Sequence, residues 1–219
     1  MFNRIRKIFG RQREDLDERD WEQLSEAKDA ALREVLGTPH EIMLHAPIPY
    51  FLGGALDLYP YPDPGGGTLY VTQEVIERGG PKPGKLGRYE LAAYTRIPFE
   101  AKVNHVQTAA NLPGIGLIAR MLNPIARYSS MAVLNPGETM EIPGEKEDGS
   151  DALHVLLDRL DTGGREFRIL GEKCGLLLCI AIHRTECNFA KANGTDVLLK
   201  RLKSAGIYPY SHLGRAPVV

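Results

Sequence analysis

The chain lacks most of what would announce a reaction. No serine stands in G-x-S-x-G, and neither G-x-x-x-x-G-K-[ST] nor a complete G-x-G-x-x-G occurs. The nucleophile elbow and the familiar phosphate cradles are therefore missing. Cysteine is scarce and odd in number, three in 219 residues. That rules out a fully paired disulfide framework and fits a reducing, cytoplasmic setting. No apolar run approaches the roughly 20 residues of a membrane span. Neither sign of charge prevails: 27 Lys and Arg face 28 Asp and Glu, a net charge of −1, whereas nucleic acid demands a basic surface. Internal repeats and low-complexity tracts are absent too. What remains is an ordinary globular balance, 43% hydrophobic and 25% charged, in a chain long enough for one large core.

The strongest local signal is Gly175–Glu186, GLLLCIAIHRTE. The unbroken apolar run Leu176–Ile182 leaves no polar face, which predicts a strand buried on both sides at the centre of a sheet. His183-Arg184-Thr185-Glu186 then opens a helix through Lys191, ended by Asn193-Gly194. Thr195-Asp196 starts a second helix, Val197–Lys203, stopped at Ala205-Gly206.

Upstream, Met1–Arg13 carries Arg4, Arg6, Lys7, Arg11 and Arg13 with no acid, interleaved with Phe2, Ile5, Ile8 and Phe9. It reads as a basic amphipathic helix for a membrane surface or as a helix docking on its own domain. It is too short and too charged for a secretion signal. Residues 14–36 are acidic at first, with Leu24, Ala27, Ala31, Leu32 and Val35 at helical spacing and Trp21 as a packing anchor. From His40 the texture becomes strand and turn: Glu41–Ile48 as an edge, then a hairpin of Ala55–Tyr59 and Thr68–Thr72 about the loop 60–67, then Tyr89–Ile97. Glu100–Asn111 and Ile115–Tyr128 read as helices, with Pro124 marking a kink or break in the second. Met131–Leu134, Thr139–Ile142 and Glu166–Leu170 read as short strands, and Ser150-Asp151 as the cap of a helix ending near Leu160. Strands and helices mix without strict alternation. The expectation is a single α+β domain with a mixed, mostly antiparallel central sheet flanked by helices.

Candidate chemistry is thin. In Cys174-x4-Cys179-x3-His183-x3-Cys187, the first two thiols point to opposite faces of one strand, and Cys179 lies within the apolar run. His183 and Cys187 share a helix face but supply only two ligands, so the reading is three structural cysteines and a capping histidine, with no metal. Gly114-Ile115-Gly116 could greet an anion but is explained as a break between helices. The carboxylates Asp158 and Asp161, or Glu141, Glu145 and Glu147, lie on an ordinary helix end and in a loop. A binding surface is easier to draw. Alternation sets Leu56, Leu58, Leu69 and Val71 inward and Asp57, Tyr59, Tyr70 and Thr72 outward, with Glu90, Tyr94 and Arg96 on one side of the next strand. The partner-binding candidates are therefore Asp57, Tyr59, Tyr61, Tyr70, Glu90 and Arg96, tyrosines beside charge being common at interfaces. A merely solvated sheet face has the same pattern.

The blocks IMLHAPIPYFLGGALDLYPYP (42–62), TLYVTQEV (68–75), YELAAYTR (89–96), LNPGETMEIPG (134–144) and GLLLCIAIHRTECNFAKANGTDVLLKRLKSAGIYPYSHLGRAPVV (175–219) together resemble the bacterial branch of the Suppressor of fused-like domain family. The resemblance covers 40–219 and leaves 1–39 as an added helical segment. It implies an α+β binding module without catalytic residues or cofactor. Animal proteins with this domain hold a zinc-finger transcription factor by gripping an extended peptide between two domains. This chain resembles the first of those domains only, so the peptide-binding residues are not carried over. The resemblance implies that bacterial relatives are immunity proteins that neutralise partner toxins, or other binding proteins. The resemblance thus implies a protein partner, a toxin or an extended peptide, and no nucleic acid. The competing readings are a regulator tethered to a membrane surface by Met1–Arg13, and a hydrolase or metal-dependent enzyme built on His183 and Cys187.

Overall fold

Glu172–Ile182 is the longest strand, and the molecule is built around it. The computed structural model describes residues 18–76, 81–100, 114–146 and 148–219. In chain order these form α1 (Glu18–Leu36), β1 (Tyr59–Pro62), β2 (Thr68–Val71), β3 (Arg88–Thr95), α2 (Ile115–Ser129), β4 (Thr139–Ile142), β5 (Leu153–Arg159), β6 (Arg168–Ile169), β7 (Glu172–Ile182), α3 (Arg184–Asn193) and α4 (Thr195–Ser204). The expectations for Met1–Arg13, the Trp21 side chain and the helix after Glu100 lie outside the described residues.

The strands make one mixed, mostly antiparallel sheet in the order β1-β2-β3-β7-β5-β4, with β6 paired to the start of β7. The parallel pair is β3 with β7, Arg88 opposite Cys174 through Ala92 opposite Leu178. β6 turns into β7 through Leu170 and Gly171, at φ 49° and 84°. Two consecutive positive φ values match the right-handed twist of a tight hairpin.

Both faces of the sheet are covered, which is why β7 is apolar without interruption from Leu176 to Ile182. On one face α2 brings Ile118, Met121, Leu122 and Ile125 against Tyr89, Leu91, Val155, Leu157, Leu177 and Cys179. On the other, Leu32, Val35, Cys187, Ala190, Leu198 and Leu202 of α1, α3 and α4 meet Val71, Ala92, Leu156, Leu178, Ile180 and Ile182. Each fully buried aliphatic side chain contributes about 1.5–3 kcal/mol, so these two layers hold the fold. Gly175 is required for close approach: a Cβ there would stand 2.5 Å from the Cβ of Leu86.

The structure corrects several expected elements, among them the edge strand over Glu41–Ile48, where Leu44 makes only an isolated bridge to Leu58. The first hairpin strand is Tyr59–Pro62, not Ala55–Tyr59, and the turn shrinks to the residues between Pro62 and Thr68. Pro60 and Pro62 are tolerated because β1 is an outer strand, where a missing N–H on the open side breaks no ladder bond. The segment after Ser150-Asp151 is strand β5, not a helix. The Asp151 carboxylate accepts the N–H groups of Glu145 (3.0 Å) and Lys146 (3.2 Å), closing a loop where a helix cap was expected. Met131–Leu134 supplies only a single bridge, Val133 to Lys82. Pro124 does not break α2, which runs on to Ser129. In the turn before it, Asn123 donates to the Ala119 carbonyl (2.9 Å) and accepts the Leu56 N–H (2.7 Å).

Candidate interaction surfaces

The six residues expected on one exposed face do not share one. Alternation along each strand is as expected, but the register pairs Tyr59 and Tyr61 with Val71 and Leu69, while Leu56 and Leu58 join Tyr70 in the α2-side core. Tyr61 is 1% exposed, Tyr70 2% and Glu90 0%. Period-two patterning states which residues share a face; it does not state whether a helix covers that face. Burial, with Asp29 adding to it, pushes the Tyr61 phenol up to about 12, and burial does the same for Tyr70. Glu90 accepts the Thr72 hydroxyl (2.7 Å) and the N–H groups of Val75 (3.2 Å) and Ile76 (3.0 Å), so its side chain pins the loop after β2. Lys28 of α1 reaches the same loop, donating to the Gln73 carbonyl.

Asp57, Tyr59 and Arg96 retain solvent contact, at separate places. Asp57 accepts the Ala46 N–H (2.8 Å) and lies 2.9 Å from His45 Nδ1. Tyr59 packs half-buried against the α1-side core. Arg96 donates to the Gly206 carbonyl and stacks 4.3 Å over the Tyr210 ring.

Arg96 thus leads to a feature the sequence reading missed, the return of the chain after α4. The parallel ladder of β3 and β7 ends at Ala92 and Leu178, and the tail takes its place. Ser211 donates its N–H to the Tyr94 carbonyl (2.8 Å) and accepts the Ala181 N–H on its hydroxyl (3.0 Å), bonding the ends of both strands. Tyr210 packs edge-on to Tyr94 at 5.8 Å and donates to Asp63 (2.5 Å). Further on, Arg215 grips Glu186 with both guanidinium arms (2.6 and 2.7 Å), and the Val218 N–H adds a third bond at 2.9 Å. Burial alone would push the Glu186 carboxyl up. The bonds from Arg215, His183 and Val218 outweigh it and hold the group below the usual carboxylate range. Glu186 also accepts the His183 N–H (2.9 Å), so the capping histidine expected at the start of α3 is in place.

A cleft of about 540 Å³ opens where β3 and β7 begin and β5 ends. Its walls carry Lys85, Arg159, Arg165 and Lys173 against Asp161 and Glu166. Cys174 lies in its lining, but burial raises that thiol to about 12, so it is not a thiolate near neutral pH. A second cavity of about 640 Å³ lies between α2 and the loop after β4. There Asn123 and Asp151 are already committed to backbone partners. Among the described residues no three His, Cys, Asp or Glu side chains converge to hold a metal, and no helix is long and apolar enough to cross a membrane.

The family model described as Suppressor of fused protein (SUFU) matches residues 96–216, more than half of the chain. The chain belongs to the Suppressor of fused family. A SUFU homologue from Neisseria gonorrhoeae shares its fold at a TM-score of 0.56 and 16% identity, over 90% of this chain and 98% of that one. The Suppressor of fused fold recurs in the Sufu–Fu complex, at 0.57 and 16%, over 89% of this chain and 92% of that one. It recurs again in Drosophila Suppressor of Fused, at 0.57 and 17%, where 88% of this chain covers 50% of the other. No curated protein matches. The span matched by the Suppressor of fused model contains α2, the β5–β7 centre and the tail through Arg215. The hairpin β1–β2 lies before it.

Proposed function

We propose that this chain is a non-enzymatic protein–protein interaction module, and that it serves as an immunity protein holding a partner toxin. One observation carries the module reading: the scaffold is shared across nine-tenths of the chain with the protein of the Sufu–Fu complex, a structure of this fold bound to another protein. Two buried acids agree with it, since the Glu90 and Glu186 side chains are taken up by backbone N–H groups and Arg215 within the fold. The immunity role rests on the resemblance to bacterial relatives.

The test is affinity capture with the full chain from lysate of the source cell, at low and high salt. One protein retained in stoichiometric amount, and rebinding after purification, is the expected outcome. Recovery of no protein at any salt contradicts the module reading. If the captured protein arrests growth when expressed alone and not when co-expressed with this chain, the immunity role holds; arrest in both cases removes it.

A further inference from the structure

Given the module reading, on which this inference rests, we propose that the cleft at the start of β3 and β7 binds an acidic segment of a partner protein. Carboxylates of that segment pair with Lys85 and Arg159, and an apolar side chain lies on the cleft floor. The charges decide which groups are available. Arg165 is spent on the carbonyls of Thr162 (3.2 Å) and Glu34 (2.6 Å). Lys173 donates to Glu166 (3.2 Å), which Arg168 also holds (2.8 Å). Asp161 accepts the N–H of Gly163 (2.9 Å). Lys85 and Arg159 are exposed, and among the described residues neither side chain has a hydrogen-bond or ion-pair partner.

Four cations against two carboxylates leave the cleft positive in a chain whose net charge is −1. The excess is therefore local, and it favours an acidic occupant. The floor argues for polypeptide over a bare anion. Leu86, Leu160 and Phe167 line it, and an inorganic ion gains nothing from apolar surface, whereas a side chain does. Nucleic acid needs a row of phosphate contacts for useful affinity, and two available cations supply too few. The floor is also set in advance of binding. Gly87 (φ 72°) would place a Cβ 3.0 Å from the Lys173 carbonyl, and Gly175 packs directly on Leu86. The strand starts are thus held close, and little ordering remains to be done when a ligand arrives. The volume of about 540 Å³ is ample for a few side chains.

The experiment is fluorescence anisotropy of a labelled, end-blocked peptide of alternating Glu and Leu with the full chain. An all-Glu peptide, inorganic phosphate and a single-stranded oligonucleotide serve as competitors. The variants are the double reversal K85E/R159E and, with the same change in net charge away from the cleft, K146E/K191E. Circular dichroism confirms that each is folded. Saturable binding weakened by about tenfold or more in K85E/R159E, and kept in K146E/K191E, is the expected result. No saturable binding, equal loss in both variants, or displacement by phosphate, oligonucleotide or all-Glu peptide as readily as by unlabelled Glu–Leu peptide overturns the proposal. The two readings fail separately. A natural partner retained by wild type and undiminished on K85E/R159E removes the cleft and keeps the module, whereas capture of nothing removes the module.

Discussion

Arg215 and Glu186 are the residues whose loss the fold should feel most. Glu186 is fully buried and its carboxylate accepts four hydrogen bonds, two from Arg215 and one each from the Val218 and His183 N–H groups. Arg215→Met leaves that charge without its counter-ion in a low-dielectric site, and breaking such a pair costs about 3–5 kcal/mol. Urea unfolding of the variant should show a loss of that size; a loss below about 1 kcal/mol, the range of surface pairs, would mean that water reaches the site. His154 contributes to the response to pH on the acid side of neutrality. It is buried on β5, with its Nδ1 3.5 Å from Glu141 of β4. Burial lowers its pKa from the ordinary 6.5; Glu141 opposes this, while Arg184 and Lys191 of α3 reinforce it. Below pH 6.5 the unfolded chain takes up a proton that the folded chain refuses. The stability is therefore complete above 6.5 and declines as the pH falls toward the folded value. His154→Gln should flatten this part of the pH–stability curve. Identical slopes in wild type and variant would show that the imidazole is not excluded from water.

At the scale of the element, β7 carries the fold, and Gly175 is its tightest point. Gly175→Ala forces a methyl against the Cβ of Leu86, 2.5 Å from where it would sit, an overpacking cost of about 1–3 kcal/mol. Thermal unfolding should register it as a clear fall in Tm; an unchanged Tm would mean that β3 and β7 can part at no cost. The stretch Leu176–Ile182 of β7 was legible in the sequence because a strand segment covered on both faces has to be apolar. The helices α3 and α4 were legible from their stop signals at Gly194 and Gly206. β5 was not. Its run Leu153–Leu157 is buried at every position, and a short apolar run without visible period reads equally as helix. β1 was misplaced because prolines read as loop, although an outer strand accepts them.

At the scale of the whole molecule, the candidate site was the least legible part. Tyr61, Tyr70 and Glu90 looked like a surface because alternation cannot reveal that helices close over both faces of the sheet. The tail contacts join residues far apart in the chain, Tyr210 to Asp63 and Arg96 to Gly206, and no local pattern encodes such pairings. The cleft is likewise assembled from the lead into β3, the end of β5 and the start of β7. The proposed function is that of a module working through contact at its surface. Native mass spectrometry of the chain mixed with the protein it captures tests this most directly. The account predicts one complex whose mass is the sum of the two intact chains, with neither component altered after prolonged incubation. A captured protein that emerges cleaved or modified, at a small fraction of equimolar chain, would contradict it.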